Sequence, residues 1–216
     1  MPARLVIRRR PPTQVLGTAE RLVEAAEAIL AESGLEGLSL REIARQAGVT
    51  HGAPLRHYAS FSALLAEVAA RGFRVLDEAV ESAAASVAPR AGPTDRLAAG
   101  ARAYLDCAVA RPGVFTLMFR PELIDASHPG FAHDSQRAFE QLVRLVRNAQ
   151  DSGWHSARDT RQLAGSLWAA VHGLASLWVH GAYVGVLPKT PLDVAFDTTI
   201  GLMLGESSRP TSRRRR

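Results

Sequence analysis

The chain of 216 residues is predicted to be all-α, with about nine helices forming a three-helix, helix-turn-helix head and a larger helical-bundle body. Three observations predict this. Apolar residues recur at i, i+3, i+4 and i+7 through most of the length. Strict apolar–polar alternation, the mark of a half-buried strand, is nearly absent. The periodic stretches are separated by Gly and Pro clusters followed by residues suited to cap a new helix. A hydrophobic content of 47% supplies enough apolar side chains for a buried core.

The first helix is expected at Thr18–Ser33, where Leu22, Val23, Ala26, Ile29 and Leu30 form one stripe closed by Gly34. Ser39 and Glu42 have capping-box spacing, in which the hydroxyl accepts from the N3 amide and the carboxylate reaches back to the cap amide. Leu40, Ile43, Ala44 and Ala47 then share an apolar face, Gly48 takes the positive φ that ends a helix, and Val49 fills the corner. Thr50 is the expected N-cap of a short second helix. Pro54 would stand near its fourth position, removing an intrahelical donor and crowding the Thr50 carbonyl. A long helix follows over residues 61–87, and the clearest break of the chain is Ala-Pro-Arg-Ala-Gly-Pro at 88–93. Thr94 or Asp95 caps the next helix. Arg111, Pro112 and Gly113 interrupt again before a short apolar segment at 114–119 and a loop to Pro129 and Gly130. The last helices are expected at 131–151, 159–186 and 191–204.

Residues 39–58 carry the most specific signal, two short helices joined by a tight turn. The second helix is read as presenting His51, Gly52, Ala53 and Arg56 outward. Small residues at its start allow it to sit deep in a DNA major groove, its N-terminal end toward the base edges. The run Gly48-Val49-Thr50-His51-Gly52-Ala53-Pro54-Leu55-Arg56-His57-Tyr58, continued by Ala59-Ser60-Phe61-Ser62-Ala63-Leu64-Leu65, resembles the TetR family of transcriptional regulators in spacing and in its place after one N-terminal helix. The resemblance implies contacts to double-stranded operator DNA. Ser39, Arg41 and Tyr58 would meet phosphates, His51, Gly52, Ala53 and Arg56 base edges, with Thr50, Pro54 and His57 in the same surface. The chain departs from the family pattern at Leu55, where a phosphate-contacting Tyr is usual, at Phe61 for a Lys, and at Ser62 for a Glu. Two backbone-positioning contacts are therefore missing.

The net charge of +5 is unevenly placed. Arg4, Arg8, Arg9 and Arg10 precede the first acid, and Arg209 and Arg213 to Arg216 stand in a terminal run without acid, so the remainder of the chain is net negative. An arginine arm directly before the first helix suits entry into a minor groove beside a major-groove helix. The tail at 207–216 suits non-specific attraction to DNA. Cys107 is the single cysteine; with no partner for an internal disulfide and no secretory pattern in the Arg-rich, Pro-interrupted start, a reducing cytoplasmic setting is expected.

Residues 162–188 contain no Asp, Glu, Lys or Arg. Such a run is long enough to cross a membrane, but it carries His172, His180, Gln162 and several Ser, and an all-round apolar helix equally suits a buried core and subunit contact; no membrane partner is expected. Residues 168–174 (Trp-Ala-Ala-Val-His-Gly-Leu) and 111–123 resemble a TetR subgroup with a Trp/His/Gly-containing C-terminal domain. That resemblance implies an effector-binding and dimerising body in which Tyr104, Phe115, Met118, Phe119, Trp168 and His172 converge on an unidentified small molecule. Few charges among them suit an uncharged, fairly hydrophobic ligand. No catalytic motif is present, so an enzyme is not expected. No metal or cofactor is expected either, since His172 and His180 are two turns apart on one helix.

The sequence is therefore read as an arm at 1–14, a DNA-binding head at 15–75, a ligand-binding and dimerising body at 92–206 and a basic tail. The expected function is a sequence-specific transcriptional regulator, acting as a ligand-released homodimeric repressor. The competing reading is a helical small-molecule-binding protein whose corner motif is structural or touches DNA non-specifically. Deleting residues 1–10 is expected to flatten the dependence of log K on log salt by about 0.9 for each phosphate contact removed; an unchanged slope in a salt titration would exclude the arm from the DNA interface.

Overall fold

The computed structural model describes residues 17–92 and 94–205. The arm, with Arg8, Arg9 and Arg10, and the tail at 207–216 lie outside the described residues. Those described form ten α-helices, one 3-10 turn at Leu35–Gly37 and no strand. The helices are α1 (Thr18–Ser33), α2 (Leu40–Gln46), α3 (Pro54–His57), α4 (Phe61–Ser86), α5 (Asp95–Ala110), α6 (Pro112–Met118), α7 (Pro129–Asp151), α8 (Thr160–Val179), α9 (Ala182–Val186) and α10 (Leu192–Leu204).

Local chemistry sets most boundaries. The Ser39 hydroxyl accepts from the Glu42 amide at 3.2 Å, which is half of the expected capping box. The other half is replaced: the Glu42 carboxylate turns to the Arg45 guanidinium, accepting from Nε at 2.9 Å. α2 ends in a Schellman motif, with Gly48 at φ 65°, the Val49 amide donating to Ala44 and the Gly48 amide to Arg45. Ser60 caps α4 through the Ala63 amide, and Asp159 caps α8 through the Gln162 amide.

Two expectations are corrected. Thr50 does not cap α3: its carbonyl accepts from Ala53 in a preceding turn, and the helix starts at Pro54. Proline at this first position loses no intrahelical bond, because that amide has no partner in any case. The expected helix over 159–186 is two helices, broken at Gly181, whose φ of 74° is left-handed. Among the described residues no helix is long and apolar enough to cross a membrane.

Two buried clusters result. The first joins α1 and α2 to α4 and α6: Leu22, Leu30, Ile43, Leu64, Val68 and Leu117 are all but fully buried. The second fills the body between α5, α7, α8 and α10, around Leu105, Val146, Ala164 and Ala175. α4 is long enough, about 39 Å at 1.5 Å per residue, to serve both.

The head is tied to the body at one close junction. α6 begins against the last turn of α1, where a Cβ on Gly113 would lie 2.2 Å from the Leu30 carbonyl oxygen. Beside it the Glu27 carboxylate of α1 meets the Arg111 guanidinium at 2.6 Å and that of Arg71, on α4, at 3.6 Å. The other end of α6 presses on α4, where a Cβ on Gly72 would lie 2.7 Å from the Met118 sulfur. A methionine end can move aside; a helix carbonyl cannot. Gly113→Ala is expected to destabilise the fold by about 1–3 kcal/mol, as overpacking does, seen as a lower urea midpoint at an unchanged m-value.

Candidate nucleic-acid interface and body cavity

The α2–α3 corner presents two surfaces. Its inner one packs into the head core with Ile43, Ala44 and Ala47. Its outer one exposes Ser39, Arg41, Thr50, His51, Gly52, Leu55, Arg56 and His57. His51 and Gly52 stand in the turn that leads into α3, and Leu55, Arg56 and His57 on the short helix itself. A shallow groove between α2 and α3 is lined by Arg41, Arg45, Val49 and His51. Among the described residues Arg41 and Arg56 enter no ion pair, so their guanidinium groups are free for phosphate or a base edge. The open space around Gly52, with nothing within 4 Å of where a Cβ would stand, leaves its backbone approachable.

Three of the residues expected to face outward are turned partly or wholly inward. Ala53 and Pro54 are buried, because Pro54 starts the helix with its ring turned to the core; neither stands on the outer surface. Tyr58 is half-buried and its hydroxyl donates to the Ala19 carbonyl at 3.3 Å, which ties the end of α3 to α1. Burial, with Glu67 and Glu20 nearby, pushes its pKa up to about 12. Sequence reasoning passed over two outward residues. Arg45 stands exposed beside Glu42. Leu55 is the one exposed large hydrophobic side chain among the described residues before α5.

The body holds a cavity of about 540 Å³ between α4, α5, α7 and α8, within the range of small-molecule sites. Of the six residues expected to converge there, Tyr104, Met118, Phe119 and Trp168 line it. Phe115 and His172 stand one layer behind. The His172 ring packs edge-on against Phe119 with centroids 4.3 Å apart, and lies 5.4 Å from the Phe115 ring. The Tyr104 hydroxyl is 2.8 Å from His172 Nδ1. Burial lowers the His172 pKa, which favours the neutral imidazole, and the hydroxyl and the ring nitrogen share one hydrogen bond. His172 therefore holds Tyr104 and Phe119 in place rather than facing the cavity. Phe73 and Phe131, edge to face at 5.8 Å, complete an aromatic wall. Asp77 and Gln141 also belong to the wall, and both are buried.

Comparison with known proteins connects these parts. Residues 22–68 match the family described as bacterial regulatory proteins, tetR family, and residues 97–203 match the tetracyclin repressor-like C-terminal domain. The chain is 26% identical over 169 residues to the uncharacterized HTH-type transcriptional regulator YobS of Bacillus subtilis (strain 168), covering 77% of this chain and 81% of that one. Among solved structures, a Rhodococcus sp. RHA1 protein of unknown function superposes with a TM-score of 0.76 at 30% identity, covering 90% of this chain and 97% of the other. A transcriptional regulator from the same organism gives a TM-score of 0.62 at 26% identity over 87% of this chain and 96% of its own. The head match falls on the helix-turn-helix and the body match on the helices enclosing the cavity: the chain belongs to the TetR family, and is a DNA-binding transcriptional regulator.

Proposed function

We propose that this regulator is a homodimeric repressor that leaves a palindromic operator when a small molecule enters the body cavity. The observation that carries this reading is the double placement of α6. Its C-terminal end supplies Met118 to the cavity wall, with Phe119 directly after it, while its start presses Gly113 on Leu30 of α1. A molecule that shifts Met118 or Phe119 pushes on the helix that the head rests against. It changes the head only through its different affinity for the two arrangements.

Dimerisation is supported by where the apolar surface lies. Leu177 on α8, Val184 and Val186 on α9, and Val194 and Leu202 on α10 are all exposed. A patch of this kind is usually a partner surface, and a two-fold pair of these helices would pair like with like. The two heads then meet half-sites about one helical turn (~34 Å) or a multiple apart. On each half-site Ser39 and Arg41 meet phosphates, and His51, Gly52 and Arg56 face base edges, with Thr50 and His57 at the margin. The Trp168, His172 and Gly173 run supports reading the body as one of the Trp/His/Gly subgroup, with the tyrosine-holding histidine as its structural element.

Selection of bound fragments from random and genomic DNA is expected to recover a palindrome; recovery of sequence-independent binding alone would overturn the reading. On the recovered site, Arg56→Ala is expected to lose about 1–3 kcal/mol if the guanidinium reads a guanine. An equal loss on random DNA would make it a phosphate contact. Leu202→Glu, at a side chain 81% exposed, is expected to leave the helical content unchanged while halving the mass seen by light scattering.

A further inference from the structure

Among the described residues Asp77 is the one carboxylate in the cavity wall, and no Lys, Arg or His lines it. It lies in the middle of α4 and is 4% exposed. Its Oδ2 lies 2.8 Å from Nε of Arg137, on α7, in an ion pair whose arginine side chain is about half exposed. Its Oδ1 is buried and has no hydrogen-bond partner among the described residues. A buried carboxylate oxygen without a donor is costly, and natural folds keep few such groups. The remaining ionisable group in the wall, Tyr104, is already engaged with His172.

We propose that the cavity selects an uncharged, ring-containing molecule bearing an O–H or N–H group, and that Asp77 recognises it by accepting that hydrogen at Oδ1. This rests on the reading of the cavity as the effector site. The aromatic wall of Phe73, Phe119, Phe131 and Trp168 sets the apolar part of the ligand. Charge sets the rest. Arg137 already neutralises Asp77, so a cationic ligand would give up its hydration with no free countercharge to meet. An anionic ligand would bring its charge beside a carboxylate and find no cation in the wall. A neutral donor completes the hydrogen bonding of Oδ1 at small desolvation cost, and its bond to an ionised oxygen is a strong one. Neighbouring atoms cover Oδ1, so the donor reaches it as the carboxyl turns slightly toward the cavity, a motion the long, half-exposed Arg137 side chain can follow.

The test uses the full chain and three probes of one shape, followed by titration calorimetry near pH 7. These are 2-naphthol, which donates, 2-methoxynaphthalene, which only accepts, and 2-naphthoate, which is anionic. The expected order is naphthol tightest, by about 10-fold or more over the ether, with naphthoate weakest. In Asp77→Leu the preference of naphthol over ether is expected to fall within about twofold, as the accepting oxygen is gone. Asp77→Asn, which keeps the shape, is expected to shrink that preference and serves if the leucine variant does not fold. Equal binding of naphthol and ether, or tightest binding of naphthoate, would overturn the role of Asp77 while leaving the cavity as a ligand site. Failure of all three probes to bind the folded protein would overturn the cavity reading as well.

Discussion

At the joint of α1 and α6 the Leu30 carbonyl and the Gly113 Cα approach so closely that no side chain fits between them. That contact fixes where the head stands on the body. Hydrophobic packing alone would tolerate a sliding interface, because apolar contact is non-directional. A backbone-to-backbone approach, flanked by the Glu27 ion pairs with Arg111 and Arg71, has direction and leaves little room to relax. Both clusters of the core are built outward from it. Leu117 of α6 is sealed into the head cluster, while Phe115, from the same helix, belongs to the body cluster.

The cavity wall is accordingly part of the same mechanical unit as the head. α4 and α6 both border the cavity and both pack on α1. The aromatic rings give the wall its shape, and the His172–Tyr104 bond keeps that shape by satisfying two polar groups behind it. A solvated histidine would exchange partners freely; a half-buried one whose charged form is disfavoured keeps a neutral ring beside the tyrosine.

The parts legible in the sequence were those set by near neighbours. The Ser39 cap, the Gly48 turn and the apolar face of α2 depend on bonds spanning three to five residues, and the residue types at those positions announce them. The exposure of Arg41, His51 and Arg56 follows from the same spacing. What the sequence hid depended on contacts from afar. Ala53 and Pro54 face inward because the helix starts at the proline, a choice made by the preceding turn and the head core. Asp77 sits in α4 as one acid among several, and nothing in its neighbours marks it; only the packing of α7 brings Arg137 and the cavity to it. His172 was expected inside the cavity, but the bulk of Phe119 stands in front of it.

The uninterrupted length of α4 gives the molecule a lever. One end is packed in the head beside Ile43, and the helix passes the cavity at Phe73 and Asp77. Over a rod of about 39 Å, a tilt of about one degree moves the far end by about 0.7 Å, and a few degrees move it by roughly the length of a covalent bond or two. The position of the head is thereby sensitive to small changes in the angle of one helix.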